Sequence, residues 1–428
     1  MQRKHRIDKD DLNELNDTNA NDAVLKIFSE AQPTIIDIQP ALSVIPNMTP
    51  HTLLHAGPPI EWARMCGPMQ GALLGAAVYE GLAPDLQAAR DLIERGALTI
   101  APCHDHAAVA PMAGVISPSM PVWVVEDRAH GTRAYSNLNE GMGRTLRYGA
   151  NGPDVIARLK WMETVLAPRL KRAVQRSDGI AVFPLVRTAL HMGDECHSRN
   201  KAAMALLLQT LLPHFLASGQ AGQEIAEVYN FMTGIDYFFL NVTMASCKAS
   251  WLLAEQVPNA SIVTALSRNG VEFGMRLQGR WFAAPSPVVN GHYFPGFTEA
   301  DANRDIGDSA ITEASGLGGF AAGGAPAVTG FIGGTAEELM EANSKMYQIA
   351  ACESPHFVLP FLNYRGTPTG IDVHKVVQTG ITPFVTTGIA HKEAGVGQVG
   401  AGRVYAPLAL FEQAAAFLAI QTNPSISA

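Results

Sequence analysis

The sequence predicts an α+β protein with more than one domain: two mixed α/β domains with a central helical domain between them. Three observations carry this. Strand and helix signals alternate over the first 150 residues. From Gly152 the chain reads as one helix after another with few strand signals. From Ala260 strands return, starting with an Asn-Gly hairpin turn. The expected boundaries are a disordered or loosely attached tail at 1–22, an N-terminal α/β domain at 23–150, a helical domain at 151–258 and a glycine-rich α/β domain at 259–428.

Taken in order, Met1 to Asp22 is polar and charged, without the apolar core of a signal peptide. Ala23–Glu30 reads as a helix and Pro33–Ile38 as a strand. His55-Ala56-Gly57-Pro58-Pro59 is a rigid turn, because glycine and two prolines exclude regular structure. Gly71–Glu80 is a helix of small residues entered through Pro68. Asp85–Gly96 is another, closed by Gly96. Short strands at Leu98–Ala101 and Val122–Glu126 flank Cys103-His104-Asp105-His106, and a loop with Asn137, Asn139 and Glu140 leads to Gly141-Met142-Gly143-Arg144-Thr145-Leu146-Arg147-Tyr148-Gly149.

Pro153–Val174, Asp194–Leu216, Gly222–Met232 and Tyr237–Gln256 are the central helices. Ser261–Ser267 and Val271–Leu277 flank Arg268-Asn269-Gly270 as a hairpin. Trp281–Phe282 and Val288–Phe294 add strands. Helix Ala336–Ala351, a glycine-rich loop and helix Leu408–Ile420 complete the chain.

Composition excludes several classes. The formal net charge is −8 and no long basic run is present, which argues against nucleic-acid binding. Charged residues make up 16% of the chain, so little charged surface is available per residue and burial in a homo-oligomer is expected. The five cysteines are scattered with no C-x-x-C, as in a reduced, cytoplasmic protein. The longest apolar stretches are broken by Gln209, Pro213 and His214, and by Glu412 and Gln413, short of the roughly 18 residues that span a membrane.

The chemistry concentrates in Leu190-His191-Met192-Gly193-Asp194-Glu195-Cys196-His197-Ser198-Arg199-Asn200. Gly193-Asp194 reads as a helix start with Asp194 as N-cap. On that helix Arg199 and Asn200 share the face of Cys196, Ala203 and Leu206/Leu207, so Arg199 is expected to be largely buried. A buried guanidinium needs a partner. That partner is either a carboxylate, from elsewhere in the chain or from Glu195 four residues earlier, or an anionic ligand at the helix N-terminus.

Other groups are open to two readings each. His104 and His106 could share a metal if both lie on one side of a strand, or serve as turn residues. No block offers three or four ligands at convincing spacing, so no metal and no cofactor is expected. His55, in its turn, either bonds backbone or takes part in chemistry. Arg144 and Arg147, among glycines, suit an anion or an ordinary loop surface. Gly316-Leu317-Gly318-Gly319-Phe320-Ala321 and Gly395-Val396-Gly397-Gln398-Val399-Gly400 imitate a dinucleotide fingerprint. Neither follows a convincing strand in a βαβ unit, so a backbone nest or tight packing is the better reading. Asp305, Asp308 and Glu313 form an acidic cluster that could bind a metal or an amine, or cap turns, and Lys392 offers an anion contact. G-x-S-x-G, Walker A, H-E-x-x-H and the Ser-Thr-Arg-Thr loop of ordinary transcarbamylases are all absent.

Together these blocks resemble the bacterial AllG/YlbE/YahG family, which includes a subunit of oxamate carbamoyltransferase. The blocks are His55-Ala56-Gly57-Pro58-Pro59, Cys103-His104-Asp105-His106 with Pro111-Met112-Ala113-Gly114, Leu146-Arg147-Tyr148-Gly149, and Met192-Gly193-Asp194-Glu195 with His197 and Arg199-Asn200. Asp305-Ile306-Gly307-Asp308-Ser309, the glycine run from Gly316 and Gly388-Ile389-Ala390-His391-Lys392 follow. The resemblance runs from about Ala31 to the C-terminus. It implies an unusual α+β fold with a helical insert, and carbamoyl transfer to or from oxamate or a related ureide in allantoin nitrogen catabolism. Carbamoyl phosphate is then product or reactant, and an FdrA-type subunit and a third subunit are the partners. It carries no residue roles.

The expected assignments are therefore these. Arg147 and Arg199 hold anions, His197 or His106 moves the proton, and Asp194 and Glu195 orient them. His55, Asn200, Gly318, Gly319 and Lys392 contribute to substrate binding. The alternatives are a non-catalytic scaffold or binding subunit, and a metal-assisted amidohydrolase built on His104, His106 and nearby acids.

Overall fold

The structure is a computed structural model that describes residues 20–422. Most of the expected tail, 1–19, lies outside the described residues. Ala20–Asp22 already belongs to the first helix, Ala20–Glu30, which buries Val24, Ile27 and Phe28. The protein is α+β, and the described residues form five separate sheets.

The first sheet has five strands. Pro33–Pro40 pairs antiparallel with Pro121–Asp127, with a register shift between Ile35 and Asp37. Thr132–Asn137 lies beyond Pro121–Asp127, Ala108–Val109 lies beyond that, and Ile180–Ala181 closes the other edge. The helix Leu240–Trp251 is buried along its whole length and packs on this sheet. A helix covered on all sides must satisfy its polar groups internally. Ser246 and Ser250 donate to carbonyls one turn back, and Asn241 Nδ2 donates to the Asn137 carbonyl at 2.6 Å. One apolar core runs from Ala23 through these strands and the central helices to Phe357 and Ala390. A second core gathers Val263 to Leu418 around the C-terminal strands.

The hairpin at Asn269-Gly270 forms as expected. Ala265–Asn269 pairs with Glu272–Leu277, and Gly270 takes φ +82°. Arg280–Pro285 and Ile306–Gly307 extend this sheet to four strands. Thr52–His55 runs parallel to Thr99–Pro102 and antiparallel to Val115–Ile116.

Several expectations are corrected. The central helices include Val182–His191, which the sequence reading omitted. Pro153–Arg176 is one path interrupted by a π-turn at Met162–Leu166, just before Pro168. The second glycine-rich loop is largely a strand, Gln398–Tyr405, paired on both sides with Phe384–Ala390 and Asn290–Tyr293. Its glycines are needed for close approach: a Cβ on Gly400 would fall 2.4 Å from the His292 carbonyl oxygen. Ala350–Leu359 and Arg365–Ile371 form a further hairpin that carries little alternation in sequence. Among the described residues no helix is long and apolar enough to cross a membrane.

Candidate functional site

Arg147 sits in a 3-10 turn, Leu146–Tyr148, closed by Gly149 at φ +84°. The turn is held from below by Glu140, whose carboxylate accepts from Leu146 N at 2.9 Å. The Arg147 side chain is 3% exposed. Nε donates to the Gly141 carbonyl at 2.8 Å, Nη2 donates to Tyr148 Oη at 2.8 Å, and the guanidinium lies 4.6 Å from the Tyr148 ring centre. Tyr148 Oη in turn donates to Gln398 Oε1 at 3.3 Å. Among the described residues no carboxylate stands within ion-pair distance of Arg147. A buried guanidinium held only by neutral acceptors and an aromatic face retains attraction for an anion.

The segment from Asp194 to Asn200 is not helical. The helix begins at Lys201 and runs to Ala217. Two carboxylates explain the delay. Glu195 accepts from three successive backbone N–H groups: His197 at 2.7 Å, Ser198 at 2.6 Å and Arg199 at 2.8 Å. This curls the chain around the carboxylate and puts Cys196 at φ +61°. Asp194 Oδ2 accepts from Ala203 N at 2.9 Å, so Asp194 caps the helix from nine residues upstream. Burial, and the neighbouring Glu313 carboxylate, push the Glu195 carboxyl up to about 8 against the pull of its three N–H donors.

Arg199 is therefore not where the expected helix would have put it. Its side chain is 33% exposed rather than largely buried, and its Nε lies 3.2 Å from Asp194 Oδ1. Glu195 takes the Arg199 backbone N–H rather than the guanidinium. The anion at this helix N-terminus is the protein's own Asp194.

His197 is buried, with Nδ1 2.8 Å from Glu313 Oε1 and 3.1 Å from Oε2. Glu313 is fully buried and surrounded by donors: Gly319 N at 2.9 Å, Thr386 N at 3.3 Å and Thr312 Oγ1 at 2.9 Å. A carboxylate accepting on every side fixes Nδ1 as the protonated nitrogen of the neutral ring, and leaves Nε2 bare. Gly318 lies directly behind this pair. Its φ is +56°, and a Cβ there would fall 2.2 Å from Glu313 Oε1. Gly318 N also donates to the Glu195 carbonyl at 2.8 Å. Gly318 and Gly319 thus support the histidine from behind and do not line the cleft.

Two adjoining chambers open on these residues. The inner one, about 20 Å³, is bounded by Arg147, His197, Ser198, Tyr237, Ser309 and Gln398, with Met112 and Leu240 as apolar walls. The outer one, about 180 Å³, is bounded by Ser198, Arg199, Asn200, Lys201, Asp236 and Phe331. Ser198 and Tyr237 belong to both. All three parts of the chain contribute: Arg147 from the first, His197–Lys201 from the centre, and Ser309, Phe331 and Gln398 from the last.

The structure places other expected residues elsewhere. His106 turns its Nδ1 to the Pro46 carbonyl at 2.8 Å. His104 points the other way, buried edge-on to Trp281, with Nε2 3.6 Å from Asp308 Oδ1. Cys103–His106 is a 3-10 turn, so residues two apart diverge, whereas in a strand they would share a face. Among the described residues no three His, Cys, Asp or Glu side chains are grouped to hold a metal. His55 is fully buried, bonds the Ala56 carbonyl through Nδ1, and is pulled down to about 4 by burial. Lys392 is exposed and donates to the Ala300 carbonyl.

Of the acidic cluster, Asp305 forms a fully buried pair with Arg268 at 2.7 Å. Asp308 accepts from Gly57 N and Ala110 N, which ties the first and last parts of the chain together. Glu313 is the member that touches the candidate site, through His197 Nδ1, and that contact was missed, as were the positions of Ser198, Tyr237, Ser309 and Gln398 on the cleft wall. Ser198, Ser309 and Gln398 stood within blocks already singled out. Tyr237 had no local signal.

The comparisons with known proteins agree with the resemblance. Residues 98–309 match the family model described as oxamate carbamoyltransferase subunit AllG. Over 406 residues the chain is 46% identical to the oxamate carbamoyltransferase subunit AllG of Escherichia coli (strain K12), covering 94% of this chain and 97% of that one. Over 398 residues it is 44% identical to the uncharacterized protein YahG of the same organism, covering 92% and 84%. A crystal structure of a conserved protein of unknown function from Enterococcus faecalis V583 superposes with a TM-score of 0.91 at 43% identity, covering 94% of this chain and 97% of that one.

Proposed function

Because the chain belongs to the AllG/YahG family, we propose that it is a subunit of a carbamoyltransferase acting on oxamate or a similar small amide, with its reacting groups in the cleft between Arg147 and His197. The observation that carries this reading is the pairing of two functions in one cleft. A histidine oriented by buried Glu313 faces the same chamber as a buried arginine that has no carboxylate partner among the described residues.

Carbamoyl transfer needs both. In the catabolic direction a phosphate oxygen attacks the carbamoyl carbon of carbamoylated oxamate. The C–N bond breaks, its electrons go to the oxamate nitrogen, and that nitrogen takes up a proton. In the reverse direction the oxamate nitrogen attacks carbamoyl phosphate, phosphate leaves, and the nitrogen gives up a proton. His197 Nε2 gives or takes that proton. Arg147 holds the oxamate carboxylate, and the outer chamber receives the carbamoyl group and its phosphate. The partner chains are an FdrA-type subunit and a third subunit, in a cytoplasmic complex.

A second reading, a non-catalytic binding subunit, is favoured by the inner chamber's volume. About 20 Å³ holds roughly one water molecule. One experiment separates the two. The chain is assembled with its partner subunits, and phosphate release from carbamoyl phosphate is followed with and without oxamate, for wild type and His197→Gln. The catalytic reading expects oxamate-dependent release that falls by about 10²–10⁴-fold in the variant while assembly is retained. Equal rates in the two complexes would leave the binding role alone standing.

A further inference from the structure

Two buried polar atoms beside the outer chamber are not accounted for by anion binding or proton transfer. Asn200 is 1% exposed, and its Nδ2 donates to the His197 carbonyl at 2.7 Å. That bond fixes the amide orientation, because only the nitrogen can donate to a carbonyl. Oδ1 is left buried with no donor among the described residues. Ser198 gives its backbone N–H to Glu195, but its Oγ is likewise buried and unpartnered. Both residues line the chamber, on either side of Arg199, whose guanidinium is turned to Asp194.

An acceptor cut off from water and from donors is costly, and native folds rarely keep one without use. The group that would satisfy Asn200 Oδ1 is an N–H donor; an anion would be repelled by it. The remaining charges agree. Asp236 lines the same chamber with Lys201 Nζ 3.6 Å away, so the wall near Asn200 is not a purely cationic one.

We propose that Asn200 Oδ1 and Ser198 Oγ receive the –NH2 group of the carbamoyl moiety, and so distinguish a carbamoyl from an acyl group of the same shape. The inference rests on the carbamoyl-transfer reading. A primary amide nitrogen has two hydrogens, one for each acceptor. An acetyl group presents a methyl instead and leaves both oxygens unpaired. Sites built to bond a polar hydrogen discriminate strongly against isosteres that lack it.

The test uses the complex assembled with its partner subunits. Dissociation constants are measured for carbamoyl phosphate and for its methyl isostere, acetyl phosphate. Wild type is expected to prefer carbamoyl phosphate by at least about a hundredfold. In Ser198→Ala the preference falls at least about tenfold, the loss falling on carbamoyl phosphate. Thermal unfolding does not worsen, because that hydroxyl makes no hydrogen bond among the described residues. Asn200→Ala, checked for folding first because it loses the bond to His197, is expected to reduce the preference further. An unchanged ratio in Ser198→Ala overturns the proposal whatever Asn200→Ala does, and leaves carbamoyl transfer standing. A wild-type complex that binds neither carbamoyl phosphate nor oxamate overturns the transfer reading, and this inference with it.

Discussion

His197 Nδ1 lies 2.8 Å from Glu313 Oε1, across 116 residues of sequence and with both side chains out of solvent. The carboxylate fixes the tautomer and the direction of the ring, so removing its charge should damage proton transfer before it damages binding.

Glu313→Gln is accordingly expected to lower kcat of the assembled enzyme by about 10²–10³-fold, with KM for oxamate changed by less than about threefold. The pH–rate profile should shift with it. Steady-state kinetics over a pH series check this. A fall in kcat/KM that accompanies a lowered melting temperature, with an unshifted profile, would show the glutamate to be structural support only.

Arg147 should report on anion affinity. Arg147→Met removes a guanidinium that bonds Gly141 and Tyr148 and lines the cleft. Hydrogen bonds to charged groups are worth about 1.5–3 kcal/mol, so oxamate binding should weaken about 10–100-fold. Calorimetric titration with oxamate measures it, and Arg147→Lys should recover part of the loss.

Arg199 and Asp194 make an unequal pair. Asp194 is fully buried and caps the Lys201–Ala217 helix, while Arg199 is 33% exposed in its side chain. Solvent screens the guanidinium, so Arg199→Met should cost about 1 kcal/mol or less. Asp194→Ala loses the cap as well and should cost about 2 kcal/mol. Denaturant unfolding of the two variants decides the order, and a larger cost for Arg199→Met would refute it.

His55 should give stability a pH slope. Burial pulls it down to about 4 in the folded protein, below its ordinary value of 6.5. The unfolded chain thus binds the proton more readily between pH 6.5 and 4. Stability held above pH 6.5 is lost as pH falls through that window, by up to about 3 kcal/mol from this residue. Denaturant midpoints for wild type and His55→Gln at pH 7 and pH 4.5 should show the wild type losing more.

Much of the fold was legible because its causes are local. Asp85 caps the helix Leu86–Glu94 by accepting from Ala88 N at 2.8 Å, and Gly96 ends it at φ +72°, as the residue types require. Asn269-Gly270 turns the hairpin because glycine reaches positive φ without strain. Where glycine served close approach of strands, as at Gly400, the same residue type misled, because its reason lies in the neighbouring strand.

The sequence by itself determined the α+β class, the hairpin and most helices, and it singled out the block from Asp194 to Asn200 as a candidate site. Tertiary structure alone decided how that block is built. Glu195 and Asp194 draw backbone N–H groups into a loop, since a buried carboxylate takes whichever donors the fold offers, and so the helix waits until Lys201. Glu313 reaches His197 across 116 residues of sequence, with Gly318 packed behind the pair, while His104 and His106 part company on the four-residue turn Cys103–His106. Helix and turn propensities act over four or five residues. Charge pairing and burial act through space, and no spacing in the sequence encodes which distant acid a histidine will meet.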